Sequence, residues 1–283
     1  MRVKVRLKHR VLSLLPISAR KHAAVWIGKQ RWLPDSVAIR MISDIKHSDP
    51  KGFHKFLWSH HIGGYAKWYD SAELFNEVKM NGSVKTREEF FHALFSTLKG
   101  LGLDPARDIL SVLEVGCSLG YLLRYMEREC FPDAEELVGV DIDRSAIEKG
   151  ARYLASAGSK VRLIQGDMEE LDHLFNEHTF DFVLASGVLS YLNSVDATQV
   201  VATLLNRTNK ILGLLGLAYE TVDNNDIPQS LISSDHNNQW LHNFKTMVEA
   251  GGGRVVFSRW KGADQPNSRT IYFVFAVPGK MES

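Results

Sequence analysis

The stretch Ile109-Leu-Ser-Val-Leu-Glu-Val-Gly-Cys-Ser-Leu-Gly-Tyr-Leu-Leu123 decides the fold. Its first seven residues, ILSVLEV, form a nearly continuous apolar run, the pattern of a strand buried on both faces. Glycines at 116 and 120 then break the run. A helical segment, YLLRYMEREC, follows directly. A buried strand that turns through glycines into a helix is the first unit of a parallel α/β sheet.

The same alternation continues to the end of the chain. Strands are predicted at ELVGVDI, KVRLIQGD, FDFVLASG, GLLGLAYETV, RVVFSRW and TIYFVFAV. Helices are predicted at SAIEKGARYLASAG, MEELDHLF, DATQVVATLLNRTNKIL and WLHNFKTMVEAGG. The last two strands are joined by a loop too short for a crossover helix, so they pair antiparallel. The expected fold class is α/β, a Rossmann-like, seven-stranded, mostly parallel sheet with an antiparallel C-terminal strand pair, plus a helical N-terminal region.

Upstream the pattern is helical. SVAIRMISDIKH has helical spacing, the aromatic-rich KGFHKFLWSHHIGGYAKWYDSAELFNEVK is broken at Gly63-Gly64, and Thr86-Arg-Glu-Glu89 resembles a capping box before FFHALFSTLKGLG. The expected organisation is a basic segment at 1–35, a helical lid or substrate region at 36–104, and the α/β domain at 105–283.

The chain has 283 residues, 45% hydrophobic and 24% charged, with a net charge of +1. That composition is globular and excludes disorder, collagen and coiled coil as descriptions of the whole. No apolar run reaches the ~18 residues needed to span a bilayer. Two cysteines, Cys117 and Cys130, are too few for a disulfide framework and lack zinc-ligand spacing. The near-neutral total hides an asymmetry. Residues 1–40 hold ten Lys/Arg against one acid, Asp35, a local charge of +9, which leaves −8 on the remaining 243 residues. Three readings stay open for the basic segment: a solvated terminus, a peripheral contact with anionic lipid or an acidic partner, or a nucleic-acid contact. Its positive head and VLSLLPI imitate a signal peptide, but the apolar stretch is short and interrupted by Pro16, with no small-x-small site after it. A cytoplasmic, possibly membrane-peripheral location is therefore expected.

In an open α/β sheet a ligand sits beyond the carboxyl ends of the strands. There the first strand gives Glu114-Val-Gly116-Cys-Ser118-Leu-Gly120, the second Gly139-Val140-Asp141, and the third Gly166-Asp167-Met168. Glycines let the backbone approach a ligand, and an acid ending the second strand can accept both hydroxyls of a ribose. A dinucleotide site would need G-x-G-x-x-G, but the corresponding positions are Gly116, Ser118 and Tyr121. No Gly-Lys-Ser/Thr of a P-loop occurs. A ligand with a ribose and no phosphate suits this rim.

With LEVGCSLGYLL, LVGVDID, IQGDME and FDFVLASGVLSYL in that order, the chain over about 105–277 resembles the class I S-adenosylmethionine-dependent methyltransferase superfamily. The resemblance implies S-adenosylmethionine as cofactor. It implies that Glu114 acts on the methionine amino group, directly or through water, and that Gly116, Cys117, Ser118 and Gly120 form the turn against the methionine moiety. Asp141 would accept the ribose hydroxyls and Ile142 would pack on adenine. Asp167 would accept from the adenine amino group while Met168 donates its backbone N–H. Ser186 and Gly187 would line the fourth strand end near the sulfonium. The family often has glycine where Ser118 stands. Cys117 has a competing reading as a small packed side chain.

For an acceptor hydroxyl a base is needed. His236, in SSDHNNQW after the fifth strand, is one candidate, and His60 and His61 in the helical region are others; each also reads as a surface or helix-end residue. Tyr65 and Tyr69 are candidates for an aromatic contact with the methionine end, against helix packing. The sequence after the fourth strand, ASGVLSY, lacks the proline-containing runs of exocyclic-amine and cytosine-C5 nucleic-acid methyltransferases. Asp223-Asn224 follows the fifth strand as in metal-dependent catechol-type enzymes, but Ala185 and Ser186 leave the fourth strand without a ligand, so no metal is expected. The resulting expectation is metal-independent methyl transfer to a small-molecule or glycan-like acceptor, at oxygen. The alternatives are an RNA methyltransferase that uses the basic segment and a non-catalytic cofactor-binding protein.

Overall fold

A computed structural model describes residues 15–30, 33–62, 85–233, 239–262 and 270–279. The chain divides into two compact units, Met1–Ala72 and Glu73–Ser283.

The first unit contains α1 (Ile17–Gly28), α2 (Asp35–Met41), α3 (Ile45–Ser48) and α4 (Pro50–Ser59). The single helix expected at 36–47 is thus two, separated around Ile42–Asp44. Its small core is Ala24, Ala38, Ile42, Phe53 and Ile62. Arg20 is buried within it and donates from Nη1 to Asp44 Oδ1 at 2.6 Å and to the Met41 carbonyl at 3.4 Å. That guanidinium holds the Asp44 carboxyl below the usual range. Asp49 caps α4 by accepting from Gly52 N at 2.8 Å, next to Pro50 at the first helical position.

The second unit opens with α5 (Lys85–Gly100) and α6 (Pro105–Asp108) and then builds a seven-stranded sheet. The strands are β1 (Ser111–Val115), β2 (Glu136–Asp141), β3 (Arg162–Gln165), β4 (Phe180–Ser186), β5 (Thr208–Gly216), β8 (Gly253–Lys261) and β9 (Ile271–Pro278). A separate hairpin, β6 (Leu231–Ser233) with β7 (Gln239–Leu241), falls between β5 and β8 in sequence. The sheet order is β3-β2-β1-β4-β5-β9-β8. β1 to β5 pair parallel, whereas β9 runs antiparallel to both β5 and β8. The Rossmann-like sheet and its antiparallel C-terminal pair are therefore present.

Order reverses at β1, which lies between β2 and β4, so the ligand crevice of this topology lies beyond Val115. Both faces of the sheet are covered, and a short helix, α9 (Leu171–Phe175), lies between β3 and β4 in sequence. On one, Leu113, Val115, Val138, Val140, Val183 and Leu212 pack against α10 (Ser194–Asn206) and α11 (Phe244–Ala250). On the other, Val112, Leu137, Phe182 and Ile211 pack with α5, α7 (Tyr121–Tyr125) and α8 (Arg144–Ser156). This two-sided burial is why β1 reads as an unbroken apolar run. α5, grouped by sequence with the N-terminal helices, packs on the sheet: the Phe90 ring meets Phe273 and Phe275 edge-on at 5.2 and 4.9 Å.

Three sequence readings shift. α7 continues as a π-helical turn, Met126–Cys130. Buried Glu127 of that turn accepts from Arg124 Nη1, Ser159 Oγ and Lys160 N, which ties the turn to the connection between α8 and β3. α10 ends at Asn206, and Thr208-Asn-Lys-Ile-Leu212, expected as helix, begins β5. Thr208 pairs with Phe180 and Ile211 with Phe182, so edge-to-edge pairing overrides local helical period. Trp240 and Leu241, expected to begin a helix, lie in strand β7, because Asn243 accepts from Thr246 N at 3.1 Å and starts α11 only at Phe244.

Candidate functional site

β1 delivers Glu114 and then a turn of unusual backbone. Gly116, Ser118 and Gly120 have φ of +74°, +53° and +77°. At Gly116 a Cβ would lie 1.9 Å from Val188 Cγ1, so only glycine fits there. Gly116 N and Cys117 N both donate to the Val140 carbonyl, at 2.7 and 3.1 Å, which holds the turn against the end of β2. Gly120 N closes it on the Cys117 carbonyl at 2.9 Å, and α7 starts from there.

Asp141 ends β2 beside this turn. Its Oδ2 accepts from Ser118 N at 2.8 Å and its Oδ1 from Asp143 N at 2.9 Å. Two backbone donors thus fix the carboxylate in one orientation. Desolvation nevertheless pushes its pKa up to about 6, opposed by those two donors. Half-buried Ile142 follows. The next acid, Asp143, caps α8 by accepting from Ser145 N and Ala146 N.

Asp167 stands one strand further along. Gly166 N donates to the Asp141 carbonyl at 2.9 Å, so the ends of β2 and β3 are joined directly. Buried Asp167 accepts from Glu169 N at 3.1 Å and caps the short 3-10 turn Met168–Glu170. Beyond β4, Ser186 is half-buried and Gly187 has φ +78°, with no atom within 4 Å of where a Cβ would stand. Gly187 N donates to the Leu215 carbonyl, and Ser190 Oγ returns a bond to the Gly187 carbonyl at 2.8 Å.

The structure therefore brings Glu114, the 116–120 turn, Asp141, Ile142, Asp167, Met168, Ser186 and Gly187 to adjacent strand ends. Glu114 is only 4% exposed. Cys117 contributes backbone alone. Its side chain packs under β2, where a Cβ on Gly139 would come within 2.6 Å of the sulfur. Burial, with the Asp141 and Glu114 charges, raises that thiol well above its usual range.

His60 and His61 terminate α4 in the first unit. His61 N donates to the Trp58 carbonyl and Ile62 N to the Leu57 carbonyl, with His61 at φ +56°. This is a Schellman ending in which histidine occupies the position glycine usually takes. The His60 ring turns back on Phe56, its Nδ1 3.0 Å from the Phe56 carbonyl. Tyr65, Tyr69 and His236 lie outside the described residues.

Beyond β4 and β5 stands a second set of residues, of which the sequence reading weighed only Asn224, with Asp223, and as a metal ligand. Asn224 is fully buried: Oδ1 accepts from Tyr219 N, and Nδ2 donates to the Leu217 and His242 carbonyls at 3.0 and 2.9 Å. Its side chain is thereby committed to the fold and not to a metal. His242 lies between the Leu189 carbonyl, 2.9 Å from Nε2, and Ser230 Oγ, 2.8 Å from Nδ1. Burial lowers its pKa. Asn243 donates to the Asn225 and Ile227 carbonyls, and Tyr272 OH joins Asn225 Oδ1 to Phe244 N. The loop from 217 to 243 is anchored by these amides to the rim of the sheet. No pattern in the sequence marks them.

S-adenosylmethionine can be tested against the residues present. The Ser118 hydroxyl is buried in the turn with no hydrogen-bond partner among the described residues, a polar atom that a bound group can satisfy. Gly187 leaves open space at the fourth strand end. Asp141 offers a fixed acceptor of the kind a ribose diol requires. The residues fit a nucleoside-bearing ligand.

Comparison with known proteins agrees with this geometry. Residues 112–210 match the family described as "Methyltransferase domain". An uncharacterized methyltransferase of Bacillus subtilis, YodH, is 25% identical over 103 residues, which are 36% of this chain and 42% of that protein. Malonyl-[acyl-carrier protein] O-methyltransferase of Priestia megaterium is 30% identical over 89 residues, 31% of this chain and 30% of that one. The matched segments thus span less than half the length of these curated relatives. Among solved structures, an S-adenosylmethionine-dependent methyltransferase from Clostridium acetobutylicum has the same fold, with a TM-score of 0.53 at 10% identity, over 75% of this chain and 99% of that one. Residues 112–210 thus carry the match to a methyltransferase domain, and the chain shares its fold with an S-adenosylmethionine-dependent methyltransferase.

Proposed function

We propose that the protein binds S-adenosylmethionine at the β1–β3 rim and transfers its methyl group to a small-molecule or glycan-like acceptor, at oxygen and without a metal ion. The observation that carries this reading is the Asp141 carboxylate, held by Ser118 N and Asp143 N beside a turn that only Gly116 can make. When bound, the cofactor supplies a methyl group already activated by its sulfonium. The protein's task is then to orient the two partners and exclude water.

Asp141 accepts the ribose hydroxyls, and its two backbone donors keep it aimed while they do so. Asp167, positioned by Glu169 N, takes the adenine side, with Ile142 as the apolar wall. Glu114 attracts the cofactor's amino group from its buried place at the end of β1. Gly187 leaves the fourth strand end free for the methyl group and its acceptor. His236, between β6 and β7 in sequence, is the proposed base for an acceptor hydroxyl. Similarity to an O-methyltransferase and the ASGVLSY sequence at 185–191 support oxygen and a non-nucleic acceptor.

The test is transfer of radiolabelled methyl from S-adenosylmethionine to a cell extract, separated into lipid, glycan, small-molecule and nucleic-acid pools. Label in the glycan or small-molecule pool supports the proposal, and label confined to nucleic acid overturns its acceptor class. His236→Ala and His236→Asn are expected to slow single-turnover transfer by about 100-fold; unchanged rates would remove His236 as base. A pH dependence follows as well. Ribose donors favour the ionised Asp141, so affinity is full above a pKa of about 6 and falls as pH drops through it. Calorimetry in buffers of different ionisation enthalpy should show proton release on binding near pH 6.

A further inference from the structure

We infer that the solvent face of α1 is a docking surface for an anionic lipid bilayer, to which the charge of this part of the sequence is complementary.

The inner side of α1 is accounted for within the first unit. Ala24 is in the core, and the Arg20 guanidinium is taken up by Asp44 and the Met41 carbonyl. Lys21 Nζ lies over the Phe56 ring, 5.4 Å from its centroid. The outer face, at helical spacing, carries Ser18, Ala19, His22 and Trp26, with Leu15 just before the helix and Lys29 just after it, all exposed. Trp26 is 61% exposed and Leu15 48%. A surface helix of a globular protein ordinarily turns a polar face to water. Here the largest exposed side chain is an indole, whose amphipathic ring suits the headgroup layer of a membrane.

Charge on the same stretch is complementary to anionic lipid. Residues 1–40 carry +9, whereas the rest of the chain carries −8 and would be repelled by such a surface. Arg2, Lys4, Arg6 and Lys8 alternate with Val3, Val5 and Leu7. A sequence that interleaves cations with aliphatic residues and carries an exposed tryptophan further along supplies both attractions that an interfacial segment uses. A nucleic-acid phosphate backbone would use only the first of them.

The test uses the full chain in a flotation assay. One set of vesicles is phosphatidylcholine alone, and the other is phosphatidylcholine with about one-third phosphatidylglycerol, each at low and high salt. Flotation with the anionic vesicles only, weakened by salt, is expected. Leu15→Ser with Trp26→Ser, and separately Arg2→Glu with Lys4→Glu and Arg6→Glu, should each weaken it by at least about tenfold. Circular dichroism and thermal midpoints report whether these variants fold as wild type. As an independent readout in unaltered protein, anionic vesicles should blue-shift the tryptophan emission, and Trp26→Phe should remove that shift. No flotation, or equal flotation with neutral vesicles, would overturn the inference. So would a single-stranded RNA that binds the protein, displaces it from vesicles, and is indifferent to Leu15→Ser with Trp26→Ser.

Discussion

Beyond β1 and β2 the rim of the sheet is made of backbone: three residues at positive φ, two amides on the Val140 carbonyl, and two more on the Asp141 carboxylate. Beyond β4 and β5 it is made of side chains: Asn224, His242, Asn243 and Tyr272, each bridging segments distant in sequence. The first rim is the proposed cofactor site, and its geometry tolerates few residue types. The second ties the segments that follow β5 to the sheet through individual side chains. The two rims should therefore fail differently when altered.

The largest effect is expected at Gly116. Alanine there must adopt φ +74° with its Cβ 1.9 Å from Val188 Cγ1. A stability loss of about 3 kcal/mol or more is expected in urea denaturation. Cofactor affinity should fall on the order of 100-fold, because the turn must move. Adding Val188→Ala should recover the part due to collision and leave the part due to φ. Full recovery would show that φ carries no cost at this site.

Asn224→Ala comes next and tests the other rim. It leaves Tyr219 N and the Leu217 and His242 carbonyls without their partner. We expect a loss of about 3 kcal/mol with cofactor affinity nearly unchanged. A large drop in cofactor affinity would mean that the two rims are not separate.

How much of each rim was legible follows from this contrast. Glycine at 116 and 120 and the acids at 141 and 167 are dictated by local backbone demands, so single positions announce them in the sequence. The alternation of strand and helix, and the continuous apolar run of β1, follow from burial on two faces and were legible for the same reason. The Asn224 and His242 bonds span 18 and 53 residues, and an asparagine or histidine in a loop looks the same whether it is buried or exposed. Thr208–Leu212 misled because helix and strand patterns overlap there and only the pairing with β4 decides. His60 and His61 end a helix through backbone bonds that no side-chain pattern encodes.

A pH-dependent effect sharpens the comparison. His242 has its folded pKa lowered by burial below the unfolded value of 6.5. The stability linked to its neutral form is complete above pH 6.5 and is lost as pH falls through the folded value. His242→Gln keeps a donor for the Leu189 carbonyl and should flatten that acid limb in thermal melts recorded against pH. An acid limb identical to wild type would mean that another group titrates there.

The smallest effects belong to two non-glycine residues at positive φ. His61→Gly should stabilise the protein by about 0.5 kcal/mol or slightly more, since glycine is the natural occupant of that helix ending. Ser118→Gly relieves similar strain at φ +53°, but removes the hydroxyl left for the ligand. Stability equal to or slightly above wild type, with cofactor binding weakened less than about tenfold, is expected from calorimetry.

Titration of S-adenosylmethionine by calorimetry into wild type and Asp141→Ala, at a pH well above 6, bears most directly on the whole account. Wild type should bind, and Asp141→Ala should bind at least about 100-fold more weakly, a loss of about 2.7 kcal/mol. Equal affinities in the two proteins would contradict the assignment of the ribose to Asp141 and, with it, the reading of the β1–β3 rim.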